Sequence, residues 1–178
     1  MYVTKIVDKT RPQLSDEVKA EIQSAIDRFP EGKQKSAILR VLFIVQREAG
    51  GWLSPDSMDL VAELLHIEPV EVYEVATFYT MFNLEPVGKF VFEVCQTGPC
   101  MLVGADKIVK HIEEKLNIKV GETTEDGMFT LKTVECLGAC GYGPMLQCGK
   151  CFHENLTNEK VDELIEACRR GEVENQYV

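Results

Sequence analysis

Four cysteines fall in two closely spaced pairs, Cys95-x4-Cys100 and Cys136-x3-Cys140. Thiolates at such spacing chelate soft or borderline metals. Each pair begins where a short apolar run gives way to small residues, Gln96-Thr97-Gly98-Pro99 in the first and Leu137-Gly138-Ala139 in the second. Two loops of this kind at neighbouring strand ends can bring four sulfurs around one centre. The spacing suits a structural zinc ion, and it suits a cage of two irons and two sulfides, which carries negative charge and gains more on reduction. Burying that charge requires N–H groups aimed at the sulfurs. Glycine lets the backbone come close, so Gly98, Gly138, Gly141 and Gly143 are the expected donors or enablers. Cys100 also falls at a predicted helix start, where the dipole favours a thiolate. The plant-type ferredoxin pattern differs, because its third cysteine closely follows the second. Spacing by itself supports a metal site with four cysteine ligands and leaves the metal open.

Three further cysteines are Cys148, Cys151 and Cys168. Cys148-Gly149-Lys150-Cys151 invites a thioredoxin-like redox reading, but that motif leads into a helix, whereas this pair flanks a predicted hairpin turn. Cross-strand neighbours, inert or joined by an adventitious disulfide, are the expectation, with a role as ligands in place of Cys136 or Cys140 as a lesser alternative. Cys168 reads as a core residue of the last helix. His66, His111 and His153 are far apart in sequence and sit in no metal or nucleophile motif, and no G-x-G-x-x-G or P-loop marks a nucleotide or flavin site. Glu113-Glu114 and the stretch from Glu122 to Asp126 read as solvated surface.

The elements that must position these residues change character along the chain. Residues 1–86 lack cysteine and read as a helical bundle, and residues 87–178 read as an α/β domain. In the first part, Ser15 caps a helix with Val18, Ile22, Ile26 and Phe29 at helical spacing, stopped at Pro30-Glu31-Gly32. A second helix over about Lys33 to Ala49 carries Ile38, Leu39, Leu42 and Val45 inward and ends at Gly50-Gly51. Ser54-Pro55 and Glu68-Pro69 start two more, with Met58, Val61, Leu64, Leu65 and then Val72, Val75, Ala76, Tyr79 facing the core. Asn83 to Lys89 reads as a linker. In the second part the spacing predicts a strand from Phe90 to Val94 and a helix from Pro99 to about Leu116, with Leu102, Ala105, Ile108, Val109, Ile112 and Leu116 inward. A strand from Met128 to Glu135, a hairpin around Gly149-Lys150 and a last helix capped by Thr157 follow. The order β-α-β-β-β-α makes the whole chain α+β.

The totals exclude several classes. With 29 acidic against 19 basic residues the net charge is −10, and the basic residues are scattered, so nucleic acid and anionic membrane surfaces are not expected partners. No apolar run reaches the roughly 20 residues of a membrane span, and Met1 to Arg11 is polar without an export signal. A soluble, cytoplasmic protein is expected, in which seven cysteines point to metal rather than to a disulfide framework.

With these residues in hand, the chain resembles the E-type electron-transfer subunits of NADH-quinone oxidoreductase, respiratory complex I. The resemblance is carried by Val72-Tyr73-Glu74-Val75-Ala76-Thr77-Phe78-Tyr79-Thr80-Met81-Phe82, by the Cys95-x4-Cys100 segment with Pro99, by Glu135-Cys136-Leu137-Gly138-Ala139-Cys140, and by Glu154-Asn155-Leu156-Thr157. It covers nearly the whole chain from Ser15. It implies an N-terminal helical bundle followed by a thioredoxin-like domain with one [2Fe-2S] cluster on Cys95, Cys100, Cys136 and Cys140. It also implies a partner subunit that holds FMN and binds NADH, other peripheral-arm subunits, and a place on the cytoplasmic peripheral arm of an inner-membrane complex, without membrane insertion. The family's chemistry is one-electron transfer with no hydride site on this chain. Cys148 and Cys151 depart from the family pattern, and Gly143-Pro144 occupies the place where thioredoxin-like folds hold a cis-proline. Related subunits serve NAD-linked hydrogenases and formate dehydrogenases. From other classes, a zinc-stabilised adaptor and a thiol oxidoreductase using Cys148 and Cys151 remain as alternatives.

Overall fold

A computed structural model of the chain describes residues 11–174, which fall in two compact units divided between Pro86 and Val87. The polar start read from Met1 to Arg11 lies, Arg11 apart, outside the described residues.

The first unit is four helices. Helix α1, Asp16–Ile26, starts where the Ser15 hydroxyl accepts the N–H of Val18 at 3.2 Å, with Asp16 and Glu17 at the positive end of the helix dipole. Helix α2, Ile38–Glu48, follows a 3-10 turn over Gln34–Ala37. Helix α3, Pro55–Leu65, is capped by Ser54, which accepts the N–H of Ser57 at 3.1 Å. Helix α4, Pro69–Phe78, opens with a capping box in which the N–H of Glu68 donates to the Glu71 carboxylate at 3.0 Å. Ile22, Val41, Leu42, Val45, Leu53, Val61, Leu65 and Val72 form the shared core. One polar side chain is buried among them with a purpose. Gln46 donates to the carbonyl of Met81 at 3.2 Å and accepts the N–H of Asn83 at 2.8 Å, tying the segment after α4 back onto α2.

Three helix assignments in this unit are corrected. Leu39 is at the surface, because it lies about 100° around the α2 axis from Ile38, and Val41 and Ile44 take the inner positions. Phe29 falls past the end of α1, and Tyr79 is the residue that ends α4; both are partly exposed.

The second unit builds a four-stranded sheet from β1 (Phe90–Cys95), β2 (Phe129–Val134), β3 (Leu146–Cys148) and β4 (Cys151–His153). The strand order is β2-β1-β3-β4. Strands β1 and β2 are parallel, which demands a crossover, and α5 (Gly98–Leu102) and α6 (Ala105–Leu116) supply it. The β1–β3 and β3–β4 pairs are antiparallel, and helix α7 (Asn158–Arg170), capped by Thr157, closes the unit. Phe90, Phe92 and Val94 point from the central strand into a core shared with Ile108 and Ile112 of α6 and with Val161 and Ile165 of α7. This is the α+β, thioredoxin-like architecture expected, and the Gly143–Pro144 peptide is cis as expected. The single helix expected from Pro99 to Leu116 is broken. Gly104 sits at φ +100°, a conformation strained for residues with a Cβ, so α5 and α6 are separate and the helical phase is not carried across. Leu102, expected inward, is therefore 89% exposed. Among the described residues no helix is long and apolar enough to cross a membrane.

Candidate metal centre

The register of the sheet decides where the cysteines meet. Cys95 is the last residue of β1 and lies opposite Val134, the last of β2, so the two parallel strands finish side by side. The chain leaving β1 enters α5, whose third residue is Cys100. The chain leaving β2 carries Cys136 through a loop to Cys140, which opens a 3-10 turn over Cys140–Tyr142. A third segment, Gly143-Pro144-Met145, passes the same point. There the Met145 carbonyl accepts the N–H of Cys95 at 3.1 Å, and Met145 packs with Cys95, Cys100 and Ala105 in a small buried cluster.

The four thiols stand as two pairs. The sulfurs of Cys136 and Cys140 are 3.5 Å apart, and Cys95 and Cys100, buried in one small cluster, act on each other's ionisation. Two sulfurs bound at about 2.3 Å to one tetrahedral metal lie about 3.8 Å apart, so the Cys136–Cys140 pair is close to the bite of one metal. Among the described residues no three His, Cys, Asp or Glu side chains are gathered tightly enough to hold one metal ion between them. The sulfurs are also supplied with donors. The N–H of Gly138 donates to Cys136 at 3.4 Å and the Thr97 hydroxyl lies 3.3 Å from the Cys95 sulfur, while Thr97 favours ionisation of Cys136 and the backbone of Leu137 and Met145 that of Cys95 and Cys100.

These contacts split each pair. Burial opposes ionisation of Cys95, yet the Thr97 hydroxyl and the N–H groups of Thr97 and Leu137 hold its thiol below the ordinary value. Cys100 is pushed up to about 11 by burial and by the neighbouring Cys95 sulfur. The expectation that a helix start would favour the Cys100 thiolate is thus reversed, because desolvation and a like charge outweigh one short turn of helix. In the outer pair the N–H of Gly138 and the Cys140 thiol hold Cys136 low, while Cys136 raises Cys140. In each pair one thiol is thus held lower than the other, and a metal must displace the protons that remain. The inner pair, Cys95 and Cys100, is sealed at 1% exposure each, while Cys136 and Cys140 are at the surface.

This donor set fits an iron–sulfur group. It provides four thiols in two chelating pairs, with N–H and O–H groups directed at sulfur to offset charge. Of the glycines expected to help, Gly138 donates its N–H at φ +81°, and Gly143 allows a close approach, since a Cβ there would lie 3.2 Å from the Cys100 sulfur. Gly98 and Gly141 face open space, so no neighbour demands glycine there. Thr97 and Met145 were not singled out from the sequence. A hydroxyl two residues after Cys95 was a readable signal; nothing local marked Met145.

The remaining candidates lie elsewhere. Cys148 and Cys151 face each other across the β3–β4 hairpin, and Cys168 is buried in α7. His66 ends α3 at the surface, His111 pairs with Asp162 at 2.8 Å, and the buried Nε2 of His153 has no hydrogen-bond partner among the described residues.

The family described as thioredoxin-like [2Fe-2S] ferredoxin matches residues 22–169. The NADH-quinone oxidoreductase E subunit of Rickettsia felis is 47% identical over 144 residues, which cover 81% of this chain and 86% of that protein. The NADH-quinone oxidoreductase E 2 subunit of Rhizobium meliloti is 44% identical over 155 residues, covering 87% and 90%. A solved structure of an NAD+-reducing [NiFe]-hydrogenase in the H2-reduced state superposes with a TM-score of 0.63 at 19% identity, over 72% of this chain. The chain spans 22% of the length of that hydrogenase chain, and the likeness is one of fold. A family match over most of the sequence, on a fold that gathers four thiols at paired strand ends, assigns this chain to the thioredoxin-like [2Fe-2S] ferredoxin family.

Proposed function

We propose that this chain is the electron-transfer subunit of an NADH:quinone oxidoreductase, with Cys95, Cys100, Cys136 and Cys140 as the ligands of one [2Fe-2S] cluster. The carrying observation is the meeting of two thiol pairs, one buried and one at the surface, at the adjoining ends of β1 and β2. The cluster supplies a site that takes up and releases one electron at a time. The protein's own residues do the rest. Cys95 and Cys100 anchor the group away from water, Cys136 and Cys140 hold it from the open side, and Thr97, Leu137, Gly138 and Met145 direct hydrogen-bond donors at the sulfurs. No motif of the chain takes hydride, so the electron is exchanged with a partner, the FMN- and NADH-binding subunit of the same complex. The unit from Val87 onward carries the cluster, and the helical unit up to Pro86 contributes to docking with that subunit and with others of the peripheral arm on the cytoplasmic side.

The sequence relatives favour the quinone-reducing complex over the hydrogenase or formate dehydrogenase setting, because the hydrogenase likeness is of fold alone. The test is analysis of the purified chain for iron and acid-labile sulfide, with absorption and electron paramagnetic resonance spectra before and after dithionite. Equal iron and sulfide with a signal that develops on reduction is expected. A colourless protein holding zinc and no sulfide would replace this reading with the adaptor. Co-purification with the FMN-binding subunit, rather than with a hydrogenase, tests the assignment of the complex.

A further inference from the structure

The hairpin at the far end of β3 holds a second set of thiols that the metal centre does not use. Cys148 and Cys151 are register partners immediately either side of the Gly149-Lys150 turn, so their side chains leave the same face of the sheet. Residues directly opposite in an antiparallel pair have Cα atoms roughly 4.5–5.5 Å apart, within the roughly 4.4–6.8 Å that a disulfide spans. The two thiols have opposite surroundings. Cys148 is 2% exposed, and Cys151 is at the surface. A third thiol, Cys168 of α7, is 1% exposed and lies with Cys148 in the same buried core cluster. Cys148 is thus flanked by one thiol in the interior and one in solvent.

We propose that Cys148 and Cys151 form a reversible disulfide site, oxidised by small-molecule disulfides such as oxidised glutathione, with Cys151 as the attacking thiol and Cys148 as the resolving one. The Cys151 thiolate attacks one sulfur of the incoming disulfide; a sulfur–sulfur bond forms to Cys151, and one glutathione leaves as its thiolate. The Cys148 thiol then loses its proton and its sulfur attacks Cys151. The Cys148–Cys151 bond forms, the bond to glutathione breaks, and the second glutathione leaves and takes up the proton. Two protein thiols are oxidised and one disulfide is reduced to two glutathiones.

Exposure fixes this order, because Cys151 alone of the three meets solvent. The buried neighbours set the pace. The Cys168 thiol and burial, with the charge of Glu93 on β1, push the Cys148 thiol well above its ordinary range even once Cys151 is tied up in the mixed disulfide, so resolution is slow at neutral pH and quickens as pH rises. The site is also coupled to the sheet that presents Cys95. β3 pairs with β1 through Phe92 opposite Cys148 and Val94 opposite Leu146, and it begins one residue after Met145.

The test uses the full chain with its cluster in place, incubated without oxygen in oxidised glutathione, then alkylated and digested without reductant. Trypsin cuts after Lys150, so the bond joins the peptide ending there to the one beginning at Cys151. Wild type is expected to give this linked pair, lost again on adding reduced glutathione. Cys148→Ser is expected to stop at a glutathione adduct on Cys151, Cys151→Ser to give neither product, and Cys168→Ser to resolve faster than wild type. A wild-type protein that stops at the Cys151 adduct, or links Cys151 to Cys136 or Cys140, overturns the proposal. The cluster's visible absorption, followed in the same samples, is an independent readout that should not change.

Discussion

Among the described residues, the Thr97 hydroxyl is the side-chain oxygen donor at the sulfurs, and its removal has a calculable effect. It lies 3.3 Å from the Cys95 sulfur and also helps hold the Cys136 thiol below its ordinary value, so it acts on one thiol of each pair. Its single proton serves one sulfur at a time. A hydrogen bond to a charged acceptor contributes roughly 1.5–3 kcal/mol. Sulfur is a weaker acceptor and the bond exists in both charge states, so the extra stabilisation of the reduced, more negative state is about 1 kcal/mol. For one electron that is a shift of about 40 mV, or about fivefold in the ratio of reduced to oxidised protein at fixed potential. Thr97→Val keeps the branched shape and removes the donor. Its midpoint, read by a redox titration followed by electron paramagnetic resonance, should fall by that amount, with iron and sulfide content unchanged. Thr97→Ser should restore most of the difference. An unchanged or more positive midpoint in the valine variant, at full cluster content, would refute the claim that this hydroxyl favours the reduced state.

Three other outcomes follow from the packing. Gly143→Ala puts a Cβ at 3.1 Å from Val103 Cγ2 and 3.2 Å from the Cys100 sulfur; visible absorption per chain should drop, and adding Val103→Ala should recover part of it by freeing one contact. Burial raises the pKa of the Glu93 carboxyl in the folded state, with Lys132 opposing, so its stability penalty is absent at low pH and grows as pH rises through the folded value. Glu93→Gln should therefore match wild type in urea unfolding near pH 4 and be more stable near pH 8, by on the order of 1 kcal/mol. Gln46→Leu leaves the N–H of Asn83 without its side-chain acceptor and the Met81 carbonyl without its donor, and should cost about 1–3 kcal/mol in the same assay.

What could be read from the sequence was what depends on near neighbours. Ser15, Ser54-Pro55 and Thr157 announce helix starts because a cap acts within three residues, and the cysteine pairs announce a metal site because chelation is local. The Gly149-Lys150 turn was legible for the same reason. Features that depend on distant segments were not. The periodicity of α6 extends back to Leu102 on paper, yet one left-handed glycine at 104 resets the phase. The Met145 donor reaches Cys100 only because β3 runs beside β1, and the raised pKa of Cys100 reflects burial that the folded chain creates. The Cys148–Cys168 contact likewise joins a strand to a helix twenty residues further on.

The unequal shelter of the two thiol pairs has a consequence for how the protein is matured. A chain that has already folded presents Cys136 and Cys140 at the surface and keeps Cys95 and Cys100 buried. If these four cysteines hold the proposed cluster, Cys136 and Cys140 are the ligands that would be open to exchange without melting the sheet beneath. Chelators and oxidants would meet Cys136 and Cys140 before the buried pair.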